Sequence, residues 1–134
     1  MSIISNHHNK ITLIYNSKTS IGKQTLAYAN NTRKKLLAID TSKTTVTSTQ
    51  WVEIIDKLNV VASELINTSH PNFVKHYDEK TSLELNDWLK IIEKHPEVIT
   101  TPIFINGSTY KQISSPSEIV RYLKPDSAGV SRNP

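Results

Sequence analysis

The residues best suited to chemistry lie in one short polar turn, at positions 16–20 (NSKTS). A β-branched run at 11–15 precedes this turn, and a helical pattern over 21–29 follows it. A turn between a strand and a helix directs several backbone N–H groups and the positive end of the helix at one place, which suits an anion or a nucleophile. Lys18 and Lys23 flank the turn and could add positive charge to a weak site for a phosphate, a sulfate or a carboxylate.

The chain contains no cysteine, which excludes disulfides, thiolate metal sites and every cysteine nucleophile. Thr19 is then the candidate nucleophile, but its hydroxyl needs a strong, positioned base. The candidate bases are His70, His76 and His95, and neither their order nor their spacing indicates a triad. The simpler interpretation is that Thr19 caps the helix that follows.

Composition narrows the class of protein. With 134 residues, 37% of them hydrophobic and 21% charged, the chain predicts one globular domain. A net charge of +4 and a pI near 9.3 are too weak to indicate nucleic-acid binding. No apolar run is long enough to cross a membrane, and the first residues do not resemble a secretion signal, so we expect a cytoplasmic protein. We expect neither a metal nor a cofactor, and the adjacent His7 and His8 are interpreted as solvated.

Hydrophobic patterns and turn signals predict the order β-α-β, several helices, and then β-β-α. The first strand covers 10–15. The helix after it starts at an N-cap, Thr19 or Ser20, and ends at Asn30 or Asn31 in a left-handed C-cap. The second strand covers 36–39, which completes a parallel crossover unit.

A helical insert is predicted at about 48–95. Its first helix starts at a Ser48 or Thr49 N-cap and its last at Ser82. Trp51 and Trp88 are interpreted as core or partly buried residues and not as ligand platforms. The Ser/Thr-rich segment 41–49 before it is interpreted as a loop, either simply solvated or open to phosphate modification.

The last third of the chain predicts a hairpin and a helix. A third strand covers 102–105, Asn106-Gly107 is a strong hairpin signal, and the returning strand covers 109–113. Pro116 lies in the first turn of the final helix, which Pro125 ends. We therefore expect a disordered leader at 1–9, one domain at 10–124 and a flexible tail at 125–134.

Three segments together resemble the arsenate reductase and Spx-like family, which has a thioredoxin-like fold with a helical insert. The turn and helix start, NSKTSIGKQTL at 16–26, resemble the family's N-P-x-C-S-x-S-R-x-T-L loop. The segment TPIFING at 101–107 is similar to its R-P-I-x-x-x-G, in which a cis proline faces the loop. The segment SPSEIV at 115–120 is similar to R-P-x-E-x-V at the last helix. The resemblance covers about residues 10–124 and implies an α/β fold with a central mixed four-stranded sheet flanked by helices.

The departures from the family pattern bear on function. Thr19 stands where the family has its redox cysteine, and Ser17 replaces the loop proline. Thr101 and Ser115 replace two arginines, and the segment 66–69 (INTS) lacks the third arginine that the family uses to hold an oxyanion. Arsenate reduction needs a thiolate to attack arsenic, so the resemblance implies a member that has lost its redox chemistry.

Three functional hypotheses follow. The first is a non-catalytic binding or regulatory protein with a protein partner, since the resemblance implies that Spx-like members act by binding RNA polymerase. The second is a weak binder of an anion or a glutathione-type ligand in a groove between the Thr19 turn and a cis Pro102. The residues of that remnant site are Asn16, Lys18, Thr19, Ser20, Lys23, Thr101 and Pro102. The third is an enzyme with non-thiol chemistry at Thr19.

Overall fold

A four-stranded mixed sheet forms the centre of the protein. The computed structural model describes residues 10–32, 35–75, 77 and 83–123. The strands are β1 (Lys10–Tyr15), β2 (Lys35–Asp40), β3 (Ile103–Asn106) and β4 (Thr109–Gln112), in the spatial order β2-β1-β3-β4. β1 is parallel to β2 and antiparallel to β3, and β3 is antiparallel to β4. The predicted fold class, a thioredoxin-like α/β fold with a mixed four-stranded sheet, is confirmed.

Helices follow the predicted order along the chain. They are α1 (Ser20–Ala29), α2 (Ser48–Leu58), α3 (Pro71–Val74), α4 (Leu85–Lys94) and α5 (Ile119–Leu123). Short 3₁₀ turns at Ala62–Leu65, Pro96–Val98 and Pro116–Glu118 connect them. In the parts of the chain that the structure describes, no helix is long and apolar enough to cross a membrane.

The sheet separates two hydrophobic clusters of unequal size. Alternate side chains of a strand point to opposite faces, so Ile11 and Leu13 lie on one face of β1 and Ile14 on the other. The first face packs against α1 and α5, and the larger cluster on the second face comes from the helical insert. Trp51 is 1% exposed and Trp88 is 7% exposed, which confirms their assignment to the core.

Several predicted helix ends are wrong by a few residues. Asn30 ends α1 in a right-handed conformation, with φ of −64°, and the left-handed cap falls instead on Asn59 after α2. Thr47, rather than Ser48 or Thr49, caps α2, because it forms a reciprocal capping box with Gln50. α4 begins after Glu84, whose backbone N–H donates to Asp87 Oδ2 at 3.2 Å in the same type of capping box. The predicted cap residue of this helix, Ser82, lies outside the described residues.

The hairpin is confirmed, with its turn shifted by one residue. Asn106 pairs with Thr109, so the two loop residues are Gly107 and Ser108. Gly107 has φ of +62°, and a positive φ at the first loop residue is the pattern of a type II′ turn, which suits the twist of the strands. Pro116 lies in the first turn of the final helical segment, as predicted. Pro125, with the predicted leader and tail, lies outside the described residues.

The expected cis bond before Pro102 is wrong. The described residues contain no cis peptide bond. The segment is hydrogen-bonded to β4 and the residue after it: the Ile113 N–H donates to the Pro102 carbonyl at 2.8 Å, and Thr101 Oγ1 donates to Gln112 Oε1 at 3.2 Å. These bonds align the segment with the sheet, and trans is the intrinsically preferred form.

Candidate functional site

The polar turn between β1 and α1 is tightly organised by two of its own side chains. Asn16 is 7% exposed; its Oδ1 accepts from Lys18 N at 2.9 Å, and its carbonyl accepts from Thr19 N at 3.0 Å. Thr19 is the N-cap of α1, because its Oγ1 accepts from Gly22 N at 3.0 Å. The predicted cap is thus found at the first of the two proposed positions.

The Thr19 hydroxyl both accepts and donates a hydrogen bond within the turn. Besides accepting from Gly22, it donates to the Asn16 carbonyl at 2.8 Å. A hydroxyl that already donates its proton to a carbonyl has no base to receive it during attack on a substrate. The geometry of Thr19 is therefore that of a structural cap.

Gly22 allows this close approach of helix and turn. A Cβ at position 22 would lie 2.7 Å from Thr19 Oγ1 and would also collide with the Asn16 carbonyl oxygen. The buried position therefore accepts only glycine unless the backbone moves. The sequence signal for this constraint is a glycine in the first turn of a helix, where other residues have higher helix propensity.

Asp40, at the end of β2, is the one charged group that lies beneath the turn among the described residues. It is 8% exposed, and its Oδ1 accepts from Ser17 N at 3.1 Å, Ser42 N at 3.0 Å and Ser42 Oγ at 2.8 Å. Sequence reasoning missed this residue. The available signal is its position: an Asp between an apolar strand and a Thr-Ser pair commonly binds backbone N–H groups of the following turn.

These hydrogen bonds keep Asp40 ionised. Burial acts to raise the pKa of its carboxyl group, but the bonds from Ser17 and Ser42 outweigh burial and lower the pKa to about 2. The pKa of the neighbouring Tyr15 is raised, first by burial and then by the negative charge of Asp40. A fixed negative charge thus lies where an anion-binding turn requires positive potential.

Most of the turn's backbone donors are already used within the protein. Ser17 N binds Asp40, while Lys18 N and Thr19 N bind Asn16. Gly22 N and Lys23 N bind Thr19 through its side chain and its carbonyl. Only the first-turn N–H groups of Ser20 and Ile21 have no recorded partner in this part of the structure. An anion would therefore meet few free donors.

The remaining predicted site residues lie around the turn and differ in how far they are buried. The Lys18 and Lys23 side chains are exposed, and Ser20 Oγ accepts from Gln24 Nε2 at 2.9 Å. The ladder between β1 and β3 ends at the pair of Ile14 and Ile103, so Pro102 precedes β3 at the end of the ladder where β1 leads into the turn. Pro102 is buried and Thr101 bonds Gln112. The fold thus places the 101–102 segment next to the base of the turn.

The two described histidines are engaged elsewhere. His70 Nδ1 accepts from Asn72 N at 3.0 Å and caps α3, and His95 Nδ1 lies 3.3 Å from Glu97 Oε2. His76 lies outside the described residues. Within the described ranges, no group of three or more metal-ligating side chains is found. Neither described histidine is hydrogen-bonded to Thr19, so the structure offers no described base for it.

The fold and the turn define a class: a thioredoxin-like domain with a helical insert, of the type found in arsenate reductases. A provisionally named arsenate reductase from Yersinia pestis is similar to this chain at a TM-score of 0.74 and 17% identity, over 83% of this chain and 98% of that one. An arsenate reductase from Vibrio cholerae is similar at a TM-score of 0.75 and 16% identity, over 86% of this chain and 98% of that one. No family model matches the sequence, and no curated protein sequence is significantly similar to it. At this identity the likeness establishes the fold.

Proposed function

We propose that this chain is a degenerate relative of the arsenate reductases that has lost redox catalysis and acts by binding a protein partner. The observation that carries the proposal is the residue at position 19 and its hydrogen bonds. The resemblance requires a cysteine there, the chain has none, and the threonine that replaces it has both hydrogen-bonding directions occupied within the turn. Threonine cannot form the thiol–disulfide couple that arsenate reduction uses.

The electrostatics of the turn also support loss of catalysis. Two arginines that the resemblance implies, and that could bind an oxyanion through two hydrogen bonds each, are replaced by Thr101 and Ser115. Asp40 adds a buried negative charge beneath the turn, and its carboxylate takes the Ser17 N–H. Both changes weaken binding of arsenate, so the proposed role needs neither an oxyanion nor a thiol.

The anion-binding alternative depends on a smaller set of groups. A phosphate or sulfate at the turn could bind only two first-turn N–H groups and the exposed side chains of Lys18 and Lys23. Thermal denaturation with arsenate, phosphate, sulfate and glutathione tests this alternative directly. Lys18→Glu combined with Lys23→Glu should abolish any stabilisation that comes from this turn, whereas Lys57→Glu, a matched change on the distant α2, should not.

Activity assays test the loss of redox catalysis. The purified chain, with arsenate, glutathione and glutaredoxin, should give no turnover above the rate without protein. Thr19→Cys should become reactive towards thiol reagents, yet without the arginines it should also fail to reduce arsenate. Turnover by the unmodified chain would overturn the proposal.

Partner binding is tested by affinity capture from the cells that produce the protein, with purified reconstitution of each captured candidate. A partner should bind in stoichiometric amounts and should be displaced by untagged chain. The double Lys18→Glu, Lys23→Glu variant then distinguishes contact through the turn from contact elsewhere. Failure of every candidate to bind in purified form would contradict a partner-binding role.

A further inference from the structure

The outer strand β2 exposes apolar side chains on both of its faces. Leu37, on the insert side of the sheet, is 42% exposed. Ala38 is exposed on the opposite side, and Leu36 beside it is half-buried. Among the described residues, β2 pairs only with β1, so its other edge faces outwards.

The register identifies which backbone groups of β2 face outwards. Thr41 N donates to Tyr15 O at 2.8 Å, and bonding residues alternate along a parallel ladder. The odd-numbered residues of β2 therefore bond to β1, and Leu36 and Ala38 direct their N–H and C=O groups away from it. The Asp40 carbonyl is already taken by Lys43 N at 2.9 Å and Thr44 N at 2.8 Å. Among the described residues of β2, the segment in which each outward-directed residue has both its N–H and its C=O free is thus 36–38, while Asp40 keeps only its N–H.

This free edge is complementary to itself. An antiparallel copy related by a two-fold axis through Leu37 would place Leu36 opposite Ala38 of the second copy, and Ala38 opposite its Leu36. Each of these pairs exchanges two hydrogen bonds, so the four bonds use every outward group of both segments. The two Leu37 side chains then face each other as a non-hydrogen-bonded pair, which is the arrangement that brings side chains closest.

We propose that β2 is a homodimer interface, in which two copies of the chain join their sheets edge to edge through residues 36–38. The free segment carries no charge, proline or bulge, the features that commonly protect an edge strand. Lys35 does not oppose the pairing, because it falls opposite Ile39 of the second copy. The two Lys35 residues are then separated by four strand positions, about 13 Å. Self-pairing buries both exposed Leu37 side chains and leaves no outward group of the segment unpaired.

The absence of cysteine permits a direct test by cross-linking. A non-hydrogen-bonded antiparallel pair has Cα atoms about 4.5 Å apart, within the range of a disulfide. Leu37→Cys should therefore form a disulfide-linked dimer rapidly under mild oxidation. Lys35→Cys, about 13 Å from its equivalent, should not. Val61→Cys, at a residue that is 60% exposed and lies outside the sheet, gives the rate of random collision.

Sedimentation measures the same interface without cross-linking. The unmodified chain should change from monomer to dimer as its concentration rises, and Leu37→Lys and Ala38→Pro should each raise the dissociation constant at least about tenfold. Val61→Lys should leave it unchanged, and circular dichroism confirms that each variant is folded. The proposal is overturned by a chain that stays monomeric at millimolar concentration. It is equally overturned by dimers that both β2 variants preserve, or by Leu37→Cys cross-linking no faster than Val61→Cys.

Discussion

Replacing Asp40 by asparagine tests the electrostatic description of the turn. Asparagine keeps the size of the side chain and an oxygen that can accept from Ser17 and Ser42, so the change removes mainly the charge. The pKa of Asp40 falls from its ordinary value of 3.8 to about 2 on folding. At about 1.4 kcal/mol for each pKa unit, and allowing for water that reaches the loop, ionised Asp40 stabilises the fold by about 1 to 2 kcal/mol. Asp40→Asn should lose this amount at neutral pH.

The pH dependence has a defined sign. Because folding lowers the pKa of Asp40, its stabilisation is complete above 3.8 and is lost as the pH falls through about 2. The difference in free energy of unfolding between the unmodified chain and Asp40→Asn should therefore be constant near neutrality. It should shrink by about half near pH 3.

Urea denaturation at a series of pH values measures this difference. Asp56→Asn, a change at an exposed carboxylate on α2, provides the matched control and should alter stability little. A difference between the unmodified chain and Asp40→Asn that stays constant down to pH 3 would refute the assignment of a lowered pKa. A fully stable Asp40→Asn at neutral pH would refute the role of the charge.

Four further predictions concern the same turn and the hairpin. Gly22→Ala should destabilise the protein by roughly 2 kcal/mol in urea denaturation, since its Cβ collides with the Asn16 carbonyl; ordinary helix propensity predicts the opposite sign. At Gly107 φ is +62°, but a Cβ added there would meet no atom within 4 Å, so Gly107→Ala should lower the free energy of unfolding by only about 1 kcal/mol. A loss as large as that of Gly22→Ala would contradict the steric explanation. Thr19→Val should lower the free energy of unfolding by about 1 kcal/mol while Thr19→Ser retains it, and equal stability of the two variants would show that the cap is unimportant. Asp40→Asn should bind sulfate more tightly than the unmodified chain does, as measured by calorimetry; no gain in affinity would show that the carboxylate does not oppose anions.

The elements with strong local signals were predictable from the sequence. The first strand, the Thr19 cap and the β3–β4 hairpin each have a local physical cause, and the structure has all three, although the hairpin turn lies one residue later than predicted. Helix starts in the insert were less predictable, because Ser, Thr and Asp have similar capping preferences and the choice depends on a partner three residues later. Gln50 selects Thr47, and Asp87 selects Glu84.

The candidate site was predictable in position but not in its interactions. The sequence locates Asn16 and Thr19 in a turn, but it does not show that their groups bond to each other instead of to a ligand. Asp40 lies 23 residues after Ser17, and only the parallel pairing of β1 with β2 brings them together. Thr101 and Pro102 are hydrogen-bonded to Gln112 and Ile113, which lie 11 residues later, and only the β3–β4 hairpin brings these residues together.

The unequal sizes of the two hydrophobic clusters have a consequence for how this protein could change over time. The larger cluster, with Trp51, Phe73 and Trp88, belongs mainly to the helical insert, whereas the turn at 16–20 lies outside both clusters. Substitutions in the turn can therefore exchange one small polar residue for another while the aromatic packing that dominates folding stays the same. A catalytic residue can be lost in such an architecture with little effect on whether the chain still folds, which allows an ancestral reaction to disappear while the scaffold persists and acquires a different use.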